Sequence, residues 1–152
     1  MAYKKIKPYS HSEEELRQIW REEYCEKNIY TFDKVKVLFF EDMFDHVFYE
    51  SANRKAKDKS ILSLNRLEKI YWIKDTLKDP EAILKKGWDA KRKDYFEDRR
   101  VAIVKGNFVV IIVFTGLLKA NFVTAYEKND IGNIMDAPDF EKNEKYFGKE
   151  NA

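Results

Sequence analysis

Residues 108–114, Phe-Val-Val-Ile-Ile-Val-Phe, form the longest uninterrupted apolar run in the chain. The run falls far short of the roughly 18 residues that span a bilayer, and no polar residue alternates within it. A strand of this kind belongs at the centre of a sheet with both faces covered. Gly106-Asn107, directly before it, suits a two-residue hairpin and pairs it with a strand over Arg100–Lys105. Thr115-Gly116-Leu117-Leu118 then leads to a third strand over Lys119–Tyr126. Strict alternation in that strand puts Ala120, Phe122, Thr124 and Tyr126 on one face and Asn121, Val123 and Ala125 on the other.

Two helices are expected ahead of this meander. Ser12 followed by Glu15 is a capping-box pattern, and Leu16, Ile19, Trp20, Tyr24 and Cys25 recur at helical spacing to about Lys27. Ser63 is an N-cap for a second helix to about Leu77, with Leu64, Leu67, Ile70, Tyr71, Ile73 and Leu77 on one side. Arg66 projects into that apolar half, where a charge either snorkels to water or meets a partner. Pro80 closes the helix at Asp79 and restarts a short one over 81–84, followed by a basic loop over 85–93. Between the helices, 34–40 alternates through Val35, Val37 and Phe39 as a strand, 40–49 has no settled period, and 51–59 reads as an exposed basic loop. Beyond Asn129 the polar composition predicts a loosely attached tail over 131–152. The expected architecture is therefore α+β in one domain over 1–152 with a core at about 12–130, its N-terminal helices packed on a small antiparallel sheet.

Several chemistries are disfavoured. No phosphate-cradling loop of the Gly-x-x-x-x-Gly-Lys or Gly-x-Gly-x-x-Gly kind can be built from the 5 scattered glycines. A single cysteine, Cys25, makes neither an intramolecular disulfide nor a zinc cluster, and His11 and His46 are the only imidazoles. The remaining metal option is Mg²⁺ held by Glu41, Asp42, Asp45 and Glu50, but acidic clusters this small are usually solvated surface, so no metal or other cofactor is expected. The basic N-terminus is not followed by the apolar stretch of a secretory signal, which makes a reducing cytoplasm the expected compartment, away from the membrane. The net charge of +2 conceals a polarity: residues 51–105 hold 16 Lys+Arg against 9 Asp+Glu, whereas 1–50 hold 8 against 11 and 106–152 hold 5 against 7. Such a segment favours an anionic partner such as RNA, with Arg54, Lys55, Lys57, Lys59, Lys91 and Arg92 as candidate contacts.

His46 sits in Phe-Asp-His-Val-Phe-Tyr-Glu, where it is either a half-buried structural histidine or a near-neutral proton donor and acceptor. Cleavage of RNA without a metal needs a base for the 2′-hydroxyl proton, an acid for the leaving 5′-oxygen, and cations or donors for the charge on the phosphorane. His46, arginine, and the hydroxyls of Thr124 and Tyr126 are side chains of those types.

The ordered segments Phe44-Asp45-His46-Val47-Phe48, Ser63 to Lys74, Leu77-Lys78-Asp79-Pro80-Glu81 and Phe122-Val123-Thr124-Ala125-Tyr126 together resemble the phage- and toxin-associated nuclease-like domains of the barnase–EndoU–colicin–RelE superfamily. The resemblance covers about residues 39–130 and leaves the first helix outside it. It implies a small RelE- or barnase-like α+β fold with helices preceding a four-stranded antiparallel sheet. It also implies metal-independent ribonuclease activity, often of a toxin held by an antitoxin or immunity protein. On that resemblance His46 matches the family's histidine motif, Thr124 and Tyr126 match the closing strand, and Arg66 and Arg100 are weaker matches. The expected reaction is 2′-hydroxyl attack on the adjacent phosphate to leave a 2′,3′-cyclic phosphate, with His46 as base or acid, Arg100 and Arg66 on the phosphate, and Thr124 and Tyr126 as donors. The alternative is a non-catalytic module of the same fold that binds nucleic acid or protein. Convergence of His46, an arginine and Thr124 or Tyr126 in one cleft is what separates the two.

Overall fold

Gly106 takes a positive φ of 58° at the hairpin tip, so that strands β8 (Arg100–Lys105) and β9 (Phe108–Gly116) close on the Lys105–Phe108 pair across a two-residue turn. The computed structural model describes residues 3–50, 61–89, 93–95 and 99–148. The meander continues into β10 (Lys119–Glu127), antiparallel to β9. Three shorter strands extend it: β1 (Ile29–Tyr30), β2 (Lys36–Leu38) and β5 (Ile83–Lys86), in the spatial order β1-β2-β10-β9-β8-β5. The sheet is thus six-stranded and mixed rather than small and antiparallel, because β2 lies parallel to β10 with Val37 opposite Ala120. The predicted helix over 81–84 gives way to β5, since the edge of β8 offers a ladder of hydrogen bonds that outweighs local helix preference. Two ribbons, β3 (Tyr49–Glu50) with β4 (Ile61–Leu62) and β6 (Trp88–Asp89) with β7 (Asp94–Tyr95), stand apart from the sheet.

Helix α1 (Glu13–Trp20) opens on the expected capping box: Ser12 Oγ accepts from Glu15 N, and Ser12 N donates to Glu15 Oε1 at 2.8 Å. It runs into a π-helical turn over Arg21–Cys25 and buries Leu16, Trp20 and Tyr24 against the sheet. The segment of unsettled period contains α2 (Met43–Phe48), which buries Phe44, Val47 and Phe48. The predicted 63–77 helix is broken into α3 (Leu64–Leu67) and α4 (Trp72–Lys78). The cause is a side chain far away in sequence. The Tyr24 hydroxyl donates to Ile70 O at 2.5 Å and accepts from Lys74 N at 3.1 Å, standing between the two groups that an unbroken helix would join directly.

These helices cover one face of the sheet. Trp20 is the hub, with the rings of Tyr24, Phe39, Phe48 and Phe122 centred 4.8–5.7 Å away. The other face carries a smaller apolar cluster of Ala102, Val104, Val109 and Ile111 under the short helix α5 (Gly132–Met135), through Ile131, Ile134 and Met135. The central strand β9 is therefore covered on both sides, as its run of apolar residues requires. Within the described residues, the segment 131–148 is more than a loose tail. Phe140, Tyr146 and Phe147 are buried around Phe114, and the backbone of 138–140 bonds to β5 through Lys86 N to Pro138 O and Phe140 N to Leu84 O. Its charged residues mask three aromatic anchors whose spacing follows neither helix nor strand. Among the described residues no helix is long and apolar enough to cross a membrane.

Candidate functional site

Strand β10 does not alternate as its sequence predicts. Phe122 pairs with Ile112, but Thr124 pairs with Ile111, so Val123 is an extra residue, a β-bulge. The bulge moves every later side chain to the opposite face. Ala125 enters the helix-covered core, and Thr124 and Tyr126 join Ile111 and Val109 on the second face, away from Ala120 and Phe122. Two hydroxyls that would otherwise be packed under the helices stand on the open side instead.

There they meet Arg100. A pocket of about 410 Å³ lies on the second face, floored by Ala102 and Ile111, bordered by Arg100, Thr124 and Tyr126, and walled by Asn133, Ile134 and Ala137 around α5. Lys86, Gly87 and Lys128 complete it. Among the described residues three of those lining the pocket are cationic and none is acidic, a lining that attracts anions. Arg100 Nε is buried and finds no acceptor among the described residues. Burial pushes the Tyr126 phenol above its ordinary pKa, with the Arg100 charge acting in the opposite sense, so at neutral pH Tyr126 is an O–H donor rather than an anion. Arginine, tyrosine and threonine together offer donors to one tetrahedral anion.

The other candidates lie elsewhere. Arg66 is half-buried, and its Nη1 donates to Val47 O at 3.0 Å, tying α3 to the last turn of α2. It meets a partner, and that partner is a backbone carbonyl. It lines a narrow crevice with Asn65, Lys69 and Phe48, where Tyr126 is, among the described residues, the only member shared with the Arg100 pocket. His46 is exposed on α2 and borders a shallow depression with Phe40, Asp42, Met43, Asn121 and Val123. No described residue lines both that depression and the Arg100 pocket; they meet at the bulge, with Val123 in one and Thr124 in the other. The five residues therefore do not converge: Arg100, Thr124 and Tyr126 share a cleft, and His46 and Arg66 do not enter it.

Arg54, Lys55, Lys57, Lys59, Lys91 and Arg92 lie outside the described residues. Of the acidic group, Glu41 is bonded to Arg21 at 2.8 Å and Asp45 to Arg17 at 2.5 Å, which clamps α1 to the start of α2. Among the described residues no three His, Cys, Asp or Glu side chains are grouped closely enough to hold a metal ion. Lys128 was missed from the sequence, although it is the next same-face position after Thr124 and Tyr126. Gly87 and Asn133 carried no sequence signal, because the sheet edge and α5 bring them in from distant parts of the chain. Comparison with known proteins finds no family model, no curated protein and no solved structure that matches the chain.

Proposed function

We propose that this protein is an RNA-binding module whose second sheet face takes a backbone phosphate in the Arg100 pocket. The observation that carries this reading is the buried Arg100 Nε, without an acceptor among the described residues, beside two hydroxyl donors in a pocket whose described lining has cations and no carboxylate. A buried charged donor left unpaired is costly, and an incoming phosphate oxygen removes that cost. The excess of 16 cations over 9 anions across residues 51–105 extends the attraction to a polyanion, and the family resemblance favours RNA as that polyanion. The test is fluorescence polarisation with a labelled single-stranded oligoribonucleotide across a salt series. Binding should weaken steeply with salt and depend on Arg100. Salt-independent binding, or none at low salt, refutes the reading.

A second reading, metal-independent ribonuclease, has one specific observation in its favour: Tyr126 is a neutral donor next to an arginine, the pair needed to protonate a leaving 5′-oxygen and steady the phosphorane. In that reaction the 2′-oxygen bonds to phosphorus, the bond from phosphorus to the 5′-oxygen breaks, a base takes the 2′-proton, and the acid supplies one to the 5′-oxygen. No imidazole or carboxylate lines the pocket among the described residues, so the base is the missing part. Incubation with total RNA and tRNA in EDTA, followed by end-group analysis, tests for it. Cyclic 2′,3′-phosphate ends that fall by roughly 10²–10⁴-fold in Tyr126→Phe, with thermal stability unchanged, would make this the better reading.

A further inference from the structure

Arg100 owes its place to an absent side chain. Gly87 directly follows β5, the strand whose Lys86 pairs with Val101 of β8, and its N–H donates to Arg100 O at 2.9 Å. That bond holds the two backbones together at the pocket's edge. On its other flank Arg100 pairs with Val113 of β9, whose branched side chain occupies that side. The arginine stem lies down over Gly87 instead. A β-carbon added there would stand 2.4 Å from Arg100 Cγ, 3.0 Å from Cδ and 3.1 Å from Cβ. Contacts this short to the root of a side chain cannot be relieved by moving its far end. Gly87 is buried and its φ is not positive, so the backbone itself does not demand glycine, and the three heavy atoms nearest to an added β-carbon all belong to Arg100.

We infer that Gly87 is the positioning residue for Arg100, the open seat across which the stem must lie for the guanidinium to reach into the pocket and meet a phosphate oxygen. The inference rests on the phosphate-binding reading of the pocket. In Gly87→Ala the stem lifts into another rotamer and the donors leave the pocket, while the strand pairing persists.

The experiment is a double-mutant cycle on RNA affinity, using a fluorescein-labelled oligoribonucleotide, together with the side-chain ¹⁵N–¹H signal of Arg100 Nε. Gly87→Ala should weaken binding by roughly tenfold or more, the factor that a charge-assisted hydrogen bond carries, and should shift the Arg100 signal. In an Arg100→Ala background the same substitution should change affinity by less than about twofold, since nothing remains to be positioned. Gly116→Ala, where an added β-carbon meets nothing within 4 Å, is the control and should bind normally. If Gly87→Ala lowers the melting temperature, Gly87→Ala/Arg100→Ala should regain it because the colliding stem is gone. An unshifted Arg100 signal, additive losses in the cycle, or an unrecovered melting temperature overturns the inference. Unchanged affinity in Arg100→Ala alone overturns the phosphate-binding reading itself, which separates the two failures.

Discussion

The helix-covered face and the second face of the sheet share strands β8, β9 and β10, yet they are completed by opposite means. One is closed by the tryptophan hub and four aromatic neighbours, with Tyr24 spending both of its hydrogen bonds on the break between α3 and α4. The other, among the described residues, is covered only in part by the single turn of α5, and a cationic pocket whose Arg100 Nε meets no described acceptor lies beside it. Residues on the first face are placed to hold the fold. On the second face, packing alone does not explain why Arg100, Thr124 and Tyr126 are gathered there. The one-residue bulge at Val123 is what assigns β10 to both tasks, sending Ala125 to the closed side and the two hydroxyls to the open one.

If this division holds, damage to the closed face should be structural and damage to the open face functional. The largest effect is expected for Trp20→Ala, which should cost roughly 3–5 kcal/mol in urea denaturation, or prevent folding, because the vacated hub cannot collapse. A loss below about 1 kcal/mol would mean that the aromatic cluster is not the hub it looks to be. Arg100→Ala should reverse the pattern, reducing RNA affinity by roughly tenfold or more and the salt slope by about one, with the urea midpoint unchanged or raised. A large drop in stability with unaltered binding would move Arg100 into the structural set.

The two tyrosines make a pH comparison. Burial raises the pKa of both, well above the ordinary value for Tyr24 on the closed face and also upward for Tyr126 beside the pocket. Above about pH 10 the unfolded chain ionises these phenols while the folded protein keeps them neutral, so unfolding releases protons and stability falls as pH rises. The stabilisation is complete below that pH and is lost as the folded pKa values are approached. Urea midpoints measured from about pH 9 to 11 should therefore decline, and Tyr24→Phe should flatten the decline while lowering stability at neutral pH through its two lost hydrogen bonds. A wild-type profile that stays level refutes the assignment. The smallest effect is expected for Ile134→Ala in α5, about 1 kcal/mol by the same denaturation measurement. A cost as large as that for Trp20 would show the second face to be a core in its own right.

The features legible in the sequence were those set by neighbouring residues. The capping box at Ser12 and Glu15, the Gly106-Asn107 turn and the doubly covered run 108–114 each state their geometry locally. What stayed hidden depended on groups brought from afar. No pattern in 63–77 announces that a hydroxyl from residue 24 will enter the helix, and strict alternation in β10 cannot foresee a bulge that its pairing with β9 imposes. The same division applies to the pocket. Arg100, Thr124 and Tyr126 stood out as residue types, but their assembly on one face rested on the bulge, and the part played by Gly87 becomes visible only when β5 is laid beside β8.

The parallel pairing of β2 with β10 also bears on how the protein is made. Val37 and Ala120 lie side by side although one is synthesised early and the other late. Until β10 emerges from the ribosome, β2 has only the two residues of β1 to pair with, and its far edge stays open. Closing so long a loop is entropically slow, which places the joining of the two ends of the sheet late in folding. Nascent chains arrested before β10 should therefore carry an unsatisfied strand edge and a half-covered Trp20, a state that holdase chaperones recognise and that aggregates when they are depleted.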